Sequence, residues 1–235
     1  MFEFNRDSEV KKRIIEGSAV YTIDNFYKNP DEIVEYLQSI PPLVWKEKEQ
    51  PSNNQIEFDD RRHDLWNPDI RAAYEYVCSI CGHNMPNEQD ANSITTNFTR
   101  FKDTSFNNFE DNYWWPHWDS GYNGVVYLNK DDTTSGTNLY ENLDPDNEPP
   151  NDVPEHYQPW RPKSKYRLIE SLEAKYNRLV LFDGYKFPHA MNISNKQYFG
   201  ETYRMNQVFF YDAPLVEASW CYQESRRTWT CLNKA

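Results

Sequence analysis

The sequence HWDSGYNGVVYLN, residues 117–129, places a His-x-Asp pair directly ahead of an apolar, strand-like run. His117 and Asp119 lie two residues apart, and in a β-strand this spacing puts both side chains on one face of the sheet. The two side chains are then close enough to hold one metal ion. His-x-Asp is by itself a common tripeptide, so the prediction of a metal site depends on the residues that follow.

Two further polar residues stand at the edges of strand-like runs later in the chain. His189 follows the apolar run Leu179–Phe182, and Arg204 precedes the aromatic run Met205–Tyr211. Two imidazoles and one carboxylate on one side of an ion leave its other positions open, which is the ligand set of non-haem Fe(II) oxygenases. The chain therefore offers a candidate iron site, with an arginine that could anchor a carboxylate beside it.

The chain of 235 residues is acidic, with a formal net charge of -12. Proteins that track a phosphate backbone rely on Lys and Arg to displace counterions, so this charge argues against a nucleic-acid partner. No segment has the basic-then-apolar pattern of a signal peptide, and no apolar run is long enough to cross a bilayer. We therefore expect a soluble, cytoplasmic protein with no membrane association, built as a single domain over residues 1–235.

Two helices are predicted in the N-terminal part of the chain, after a first strand at Ala19–Ile23. Each helix opens on an Asn-Pro-Asp signal, at Asn29 and at Asn67, which supplies a cap, a proline at the first helical position and an acid in the first turn. Pro41 and Gly82 follow the two helices and end them. The apolar residues that recur at helical spacing are Ile33, Val34, Leu37 and Ile40 in the first helix, and Ile70, Ala73, Tyr74, Val77 and Cys81 in the second.

The four cysteines allow two interpretations. Cys78-x-x-Cys81, with His83 close by, could form half of a zinc site. Cys221 and Cys231 lack a matching close spacing, and a chain without a secretion signal keeps its thiols reduced. Small buried thiols are therefore the favoured interpretation.

From Ile94 onward the chain changes to a strand pattern. The predicted strands are Ile94–Phe101, Gly124–Leu128, Thr137–Tyr140, Leu179–Phe182 and Met205–Tyr211. Two polar stretches are predicted at the surface: Trp45–Leu65 as a hairpin or loop, and Asn142–Lys165 as a long loop near the site entrance. Each is a solvated connection or a lid over a substrate. The aromatic C-terminal tail after Pro214 is expected to pack on the domain.

The order of these features resembles the 2-oxoglutarate/Fe(II)-dependent dioxygenases, most closely their prolyl-hydroxylase-like branch. The family pattern is His-x-Asp, a Tyr-Leu-Asn strand, a Gly-Gly or Gly-Thr turn into another strand, an Arg-Leu-hydrophobic strand, a distal His and a basic residue on the next strand. The matching residues here are His117–Asp119, Tyr127–Asn129, Gly136–Thr137, Arg178–Phe182, His189 and Arg204. The resemblance covers about residues 94–211, with a looser match in the N-terminal region.

The resemblance implies a fold and a set of site residues. The fold is mainly β with flanking α-helices: an N-terminal strand and helices over about residues 19–82, and a double-stranded β-helix (jelly-roll) core over about residues 94–212. By the same resemblance, His117, Asp119 and His189 bind Fe(II) as the catalytic ligands.

Two further residues are implied to bind the cosubstrate. Arg204 would anchor the far carboxylate of 2-oxoglutarate, because a guanidinium stays charged and can form two parallel hydrogen bonds with a carboxylate. Tyr127 would donate its hydroxyl to the same carboxylate, or serve as a core aromatic residue. The interval between His189 and Arg204 is longer than the family usually shows. Arg178 and Arg100 are the alternative anchors, although each is more simply explained by a structural ion pair.

The implied activity is that of a hydroxylase that uses Fe(II), 2-oxoglutarate and dioxygen. It would hydroxylate a C–H bond of a protein or peptide side chain and release succinate and CO2, with a small molecule or free amino acid as the alternative substrate. Two other functions stay open: a non-catalytic double-stranded β-helix module for binding or assembly, and a cupin-like metal enzyme that does not use 2-oxoglutarate. Arg204 and Tyr127 separate the last of these, since only a dicarboxylate cosubstrate needs an anchor beside the metal.

Overall fold

The computed structural model describes residues 1–41, 43–46, 55–62, 68–82, 95–103, 110–119, 121–130, 135–144, 160–193, 197, 202–211, 220–223 and 228–231. Within these ranges β-strands predominate, and the helices are α1 (Pro30–Ser39) and α2 (Pro68–Cys81). The strands are β1 (Val10–Ile15), β2 (Ser18–Ile23), β3 (Leu43–Lys46), β4 (Gln55–Arg62), β5 (Thr95–Asp103), β6 (Asn112–Trp114), β7 (Tyr122–Tyr127), β8 (Thr137–Asn142), β9 (Trp160–Pro162), β10 (Tyr166–Leu172), β11 (Arg178–Asp183), β12 (His189–Met191), β13 (Arg204–Tyr211), β14 (Trp220–Gln223) and β15 (Thr228–Cys231).

Both helices form where their sequences predict them. α1 starts at Pro30 and carries Asp31 and Glu32 in its first turn, where carboxylates meet the positive end of the helix dipole. α2 ends before Gly82, whose φ of 74° is a left-handed conformation that glycine adopts without a steric penalty. The side chains that the helices bury are Ile33, Val34 and Leu37 of α1, and Ile70, Ala73, Tyr74, Val77 and Cys78 of α2.

The helix cysteines fit the interpretation as thiols. Cys78 is buried, and Cys81 is half-buried beside the same core. Burial raises the pKa of the Cys78 thiol to about 12, so this thiol stays protonated at neutral pH. His83 and the side chains of Cys221 and Cys231 lie outside the described residues. Among the residues that are described, these two cysteines belong to no group of three potential metal ligands.

The larger sheet is antiparallel and contains, among the described strands, β1-β2-β11-β7-β13-β5-β4-β3 in that order. β7 lies between β11 and β13, so that Val125 is opposite Val180 on one side and Val208 on the other. β1, which the sequence pattern did not predict, forms one edge. β3 and β4 form a hairpin at the other edge, which begins two residues before the stretch Trp45–Leu65 and otherwise falls in it. Of the two structures predicted for that stretch, the hairpin is the one observed.

A smaller antiparallel sheet is formed by β10, β8 and β12. His117, which follows β6, forms an antiparallel bridge with His189 of β12 and so brings the β6 segment to this sheet. From β5 to β13 the chain passes repeatedly between the sheets. β5, β7, β11 and β13 lie in the larger sheet, and β8, β10, β12 and the bridged segment after β6 lie in the smaller one. This winding is a double-stranded β-helix, or jelly roll, and it confirms the predicted fold class.

The two faces of the larger sheet bury different sets of side chains. On β7 the alternation of a strand sends Val125 and Tyr127 to the inner face, where they pack with Leu139 and Leu172 of the smaller sheet. The intervening Val126 points to the outer face, where the helices pack. The interior between the sheets is therefore apolar at its centre, and polar side chains lie toward its ends.

One predicted loop is partly wrong. Residues 145–159 of the stretch Asn142–Lys165 lie outside the described residues, but Trp160–Pro162 forms strand β9 and pairs with β6. Trp160 and Arg161 are buried, and the indole of Trp160 packs edge-on against Trp114 with ring centroids 5.2 Å apart. Aromatic burial thus outweighs the polar and proline-rich composition from which a loop was predicted.

The prediction that the C-terminal tail packs on the domain stays a prediction. The C-terminal tail contains the hairpin β14–β15, while its side chains and their packing lie outside the described residues. Neither of the two described helices is long and apolar enough to cross a membrane.

Candidate metal centre

His117 and His189 are placed opposite each other by the backbone. The N–H of His189 donates to the carbonyl of His117 at 2.8 Å, and the N–H of His117 donates to the carbonyl of His189 at 3.1 Å. Their imidazole rings lie side by side, with centroids 4.5 Å apart. Asp119 is held from another direction, because its N–H donates to the carbonyl of Gly184 in the β11–β12 loop at 3.2 Å. Residues about 70 positions apart therefore meet at one point.

The three side chains converge on a space suited to one ion. Asp119 Oδ2 is 3.2 Å from His189 Nε2 and 3.6 Å from His117 Nε2. One ligand atom from each residue can be chosen so that all three lie within 4.8 Å of one another. Two ligand atoms at right angles around an ion with bonds of ~2.1 Å are about 3 Å apart. The group therefore has the spacing of a metal site.

Both imidazoles present the same nitrogen to this space. His117 Nδ1 is 2.7 Å from the carbonyl oxygen of Trp115, and His189 Nδ1 is 3.1 Å from that of Phe187. A carbonyl can only accept, so each Nδ1 carries the proton and each neutral ring leaves Nε2 as its lone-pair donor. Metal-binding histidines are usually oriented in this way by their other ring nitrogen.

One of these orienting carbonyls belongs to a strained residue. Trp115 has a φ of 50°, the left-handed region that residues other than glycine rarely adopt, and such strain costs of order 1–3 kcal/mol. Its ring centroid is 6.0 Å from that of His117. Strain of this kind persists where the surrounding structure imposes it, and here it lies two residues from a candidate ligand.

The ionisable side chains of the triad shift one another's pKa values. Burial by itself would raise the pKa of Asp119, but imidazoles of His117 and His189 that are protonated lower it by their charge and by N–H donation to the carboxylate, and the pKa lies below its usual range. Burial and the neighbouring His117 lower the pKa of His189. At neutral pH these shifts favour an ionised carboxylate and a neutral His189, which are the forms that bind a metal cation.

Arg204 and Tyr127 meet at another part of the inner face. Tyr127 is opposite Asn206, so Arg204, two residues earlier on β13, lies on the same face. The guanidinium carbon of Arg204 is 5.8 Å from the centroid of the Tyr127 ring, and both residues are buried. Arg204 also donates to the carbonyl of Ser135, with Nη2 at 3.2 Å and Nε at 3.4 Å. The Tyr127 hydroxyl is 2.8 Å from Oγ1 of Thr137.

The alternative anchors differ in their surroundings. Arg178 Nε is 2.6 Å from Asp24 Oδ1, and Arg178 Nη1 is 3.0 Å from Glu173 Oε2. Arg178 thus makes the structural ion pairs expected of it. The side chain of Arg100 lies outside the described residues.

Asn123 and Thr137 belong to this inner surface but were not among the predicted site residues. Asn123 is buried, and its Nδ2 lies 2.5 Å from Asp119 Oδ2 and 3.2 Å from His189 Nε2. A signal for Asn123 was present in the sequence, because Asn123 and Tyr127 are four residues apart on one strand and so share a face. The contacts themselves depend on loops that the strand pattern does not place.

Comparisons with known proteins give similarities of structure only. No protein-family model matches the chain, and no curated protein matches it. Among solved structures, prolyl 4-hydroxylase from Phytophthora capsici is 15% identical with a TM-score of 0.43, and the match covers 84% of this chain but 59% of that one. An oxidoreductase of the 2OG-Fe(II) oxygenase family from Burkholderia pseudomallei is 11% identical with a TM-score of 0.43, covering 82% and 84%. The Fe(II)/α-ketoglutarate-dependent dioxygenase TqaL is 12% identical with a TM-score of 0.39, covering 79% and 75%.

Proposed function

We propose that this protein is a non-haem Fe(II)- and 2-oxoglutarate-dependent oxygenase that hydroxylates a C–H bond. The observation that carries the proposal is the convergence of His117 Nε2, Asp119 Oδ2 and His189 Nε2, with both Nδ1 atoms engaged by carbonyls. A binding module without a metal has no need of three ligands in register, and the orientation of two imidazoles toward one carboxylate is difficult to explain otherwise.

The donor set fits Fe(II). Two imidazole nitrogens and one carboxylate oxygen on one side of an ion are the facial triad of non-haem iron oxygenases, which leaves further coordination positions open. Zinc sites of the structural type are instead closed by four protein ligands, commonly with thiolates. His117 and Asp119 are only half-buried, so the open side of the site is accessible.

The inner face also fits a short dicarboxylate. Asn123, beside the triad, and Tyr127, beside Arg204, are four residues apart on β7, which corresponds to about 13 Å along the strand. The triad lies at the Asn123 end of this gap, and Arg204 lies at the Tyr127 end. Arg204 would hold the far carboxylate of 2-oxoglutarate through its guanidinium, and Tyr127 and Thr137 would supply hydroxyl groups to it. This arrangement favours 2-oxoglutarate over a cupin-like reaction that lacks such a cosubstrate.

The mechanism assigns each part of the chain a separate task. When bound, Fe(II) with 2-oxoglutarate and dioxygen supplies the oxidation that replaces a C–H bond by C–OH and releases succinate and CO2. His117, Asp119 and His189 would hold the ion on one side and leave the other side open. Arg204 would hold the cosubstrate from the buried end of the interior, where the apolar residues Val125 and Leu139 would exclude water. The two hydrogen-bonded sheets keep these groups in place.

For the substrate we propose a protein or peptide side chain, with a small molecule or free amino acid as the alternative. Candidates of both classes can be compared with one readout, because succinate forms in proportion to the 2-oxoglutarate consumed.

The test is anaerobic addition of Fe(II) and 2-oxoglutarate to the full chain, followed by visible absorption spectroscopy. We expect the charge-transfer band of an Fe(II) chelate, then succinate formation once air is admitted. His189→Ala should abolish the band, and Arg204→Ala should require a much higher 2-oxoglutarate concentration for it. Arg167→Ala is the control, because Arg167 is exposed and pairs with Glu141 away from the site. No band with the wild-type protein would exclude the proposed function, and a band that survives both site variants would exclude the assigned residues.

A further inference from the structure

The amide of Asn123 lies against the carboxylate of the triad. Its Nδ2 is 2.5 Å from Asp119 Oδ2 and 3.2 Å from His189 Nε2, and only 1% of the residue is exposed. Its Oδ1 is buried and has no hydrogen-bond partner among the residues that the structure describes. A buried carbonyl oxygen left without a donor is unfavourable by about 1–3 kcal/mol. Something else must therefore determine the orientation of this amide.

The orientation is determined by Asp119. If the amide were rotated by 180°, Oδ1 would take the position of Nδ2, about 2.5 Å from Asp119 Oδ2. Two oxygen acceptors at that distance repel each other, whereas the N–H of the amide donates to an ionised carboxylate in a strong, charge-assisted hydrogen bond. Asn123 thus leaves its own carbonyl unsatisfied and donates to the carboxylate.

The same amide explains why residue 184 is a glycine. A Cβ atom on Gly184 would lie 2.6 Å from Asn123 Nδ2, 2.8 Å from Cγ and 3.1 Å from Oδ1. Gly184 is not among the glycines with positive φ, so its backbone would accept an alanine. The carbonyl of Gly184 also accepts the N–H of Asp119. A glycine is therefore required here for space, at the point where the β11–β12 loop touches both Asn123 and Asp119.

We propose that Asn123 is a positioning residue of the metal centre, which holds the Asp119 carboxylate in the orientation for metal binding, and that Gly184 leaves room for it. This inference rests on the proposed function only in that a metal ion binds the triad. Residues that hydrogen-bond to a metal ligand typically contribute 10–100-fold to metal affinity. Asn123 acts through Asp119, so its loss should appear in metal binding itself, before any chemistry.

The experiment is a double-mutant cycle measured by metal binding. Mn(II), which suits oxygen and nitrogen ligands and is stable in air, is titrated into the metal-free full chain, and free Mn(II) is followed by electron paramagnetic resonance. Asn123→Ala should raise the Kd about 10–100-fold. Gly184→Ala should raise it as well, because the added Cβ displaces the amide. In the double variant the Cβ added at position 184 meets no amide at position 123. The Kd of the double variant should therefore be no higher than that of Asn123→Ala alone.

The control is another buried asparagine, whose backbone is opposite Ala190 but whose side chain lies on the face of β8 opposite to Thr137 and Leu139. Asn138 is 3% exposed and bonds to Tyr140 and Ser171. Asn138→Ala should leave the Kd for Mn(II) within about twofold of wild type. Asn123→Leu, which keeps the approximate shape of the side chain, replaces Asn123→Ala if the alanine variant does not fold, as judged by its thermal transition without metal.

The outcomes separate this inference from the proposed function. If the wild-type chain does not bind Mn(II), the metal centre and the proposed function both fail. If the wild type binds and a folded Asn123 variant binds equally well, the inference alone is wrong. If the effects of Asn123→Ala and Gly184→Ala multiply in the double variant, Gly184 does not act through this amide and its assigned role is overturned.

Discussion

Gly136 is the position where a single methyl group should disturb the jelly roll most. It is buried and directly precedes β8, in the pair of strands β8 and β10 where Thr137 lies opposite Leu172. A Cβ atom on Gly136 would lie 1.9 Å from the backbone oxygen of Leu172 and 3.0 Å from the backbone nitrogen of Ala174. On its other side, the carbonyl of Gly136 accepts the N–H of Asn192 at 2.8 Å. The contact is with backbone, so no side chain can rotate away.

The size of the effect follows from this distance. Non-bonded heavy atoms normally approach to about 3.5 Å, so β8 and β10 would have to separate by roughly 1.5 Å at this point. Overpacking a core usually costs 1–3 kcal/mol, and a clash with backbone belongs at the upper end or above. We expect Gly136→Ala to lower the free energy of unfolding by about 3 kcal/mol or more. Gly136 has no positive φ, so steric contact and not backbone conformation is responsible.

Gly82→Ala is the matched comparison. Gly82 has a φ of 74°, but a Cβ there would meet no described residue within 4 Å. Only the left-handed conformation then opposes alanine, at about 1 kcal/mol. Urea unfolding of the wild type and both variants, with m-values compared, gives the two free energies. The steric explanation is wrong if the stability of Gly136→Ala lies within about 0.5 kcal/mol of wild type, the usual range of surface substitutions. It is also wrong if Gly136→Ala is less destabilised than Gly82→Ala.

Two further predictions concern charged groups. A hydrogen bond from Arg178 holds the pKa of Asp24 below its usual range. The pair therefore stabilises the fold above the unfolded pKa of Asp24, which is about 3.9. This contribution is lost as the pH falls through the lower pKa of the folded state. Asp24→Asn should lower the free energy of unfolding by about 1–2 kcal/mol at pH 7, and this loss of stability should shrink below about pH 4. Urea unfolding of both proteins at the two pH values measures the loss. A loss that does not change with pH would contradict the assignment. Arg204→Lys should raise the 2-oxoglutarate concentration that gives half of the maximal charge-transfer band about tenfold or more, since Lys cannot form the two parallel hydrogen bonds of a guanidinium. The Kd for Mn(II) should stay unchanged. An unchanged concentration would show that Arg204 does not hold the cosubstrate.

The sequence predicts those parts of the site that depend on periodicity. His117 and Asp119 are two apart, which is enough to place them together, and the helices follow from their start signals and apolar spacing. The order of the strands, combined with the family resemblance, places His189 near them. The predicted double-stranded β-helix is confirmed by the order of the strands in the two sheets.

Features that depend on contacts between distant loops could not be predicted. The stretch around Trp160 is polar and rich in proline, and it becomes a buried strand because Trp114 offers an aromatic partner 46 positions earlier. The role of Asn123 likewise requires Gly184 to lie beside it, and nothing in the spacing of either residue shows that they meet. β1 is exposed along almost its whole length and carries charges typical of a sheet edge, so no alternation with a buried face marks it.

The metal-binding part and the carboxylate-binding part of the proposed site lie at opposite ends of strand β7. Its inner face carries Asn123, then Val125, then Tyr127, so that one polar residue stands at each end of an apolar middle. Asn123 contacts the triad, while Tyr127 contacts Arg204 and Thr137. A cosubstrate that spans these ends must carry a metal-binding group at one end and an anion at the other, with a short apolar segment beside Val125. Because both ends are fixed to the same hydrogen-bonded strand, a substitution that shifts β7 should weaken metal binding and cosubstrate binding together, whereas Arg204→Lys should affect only the second.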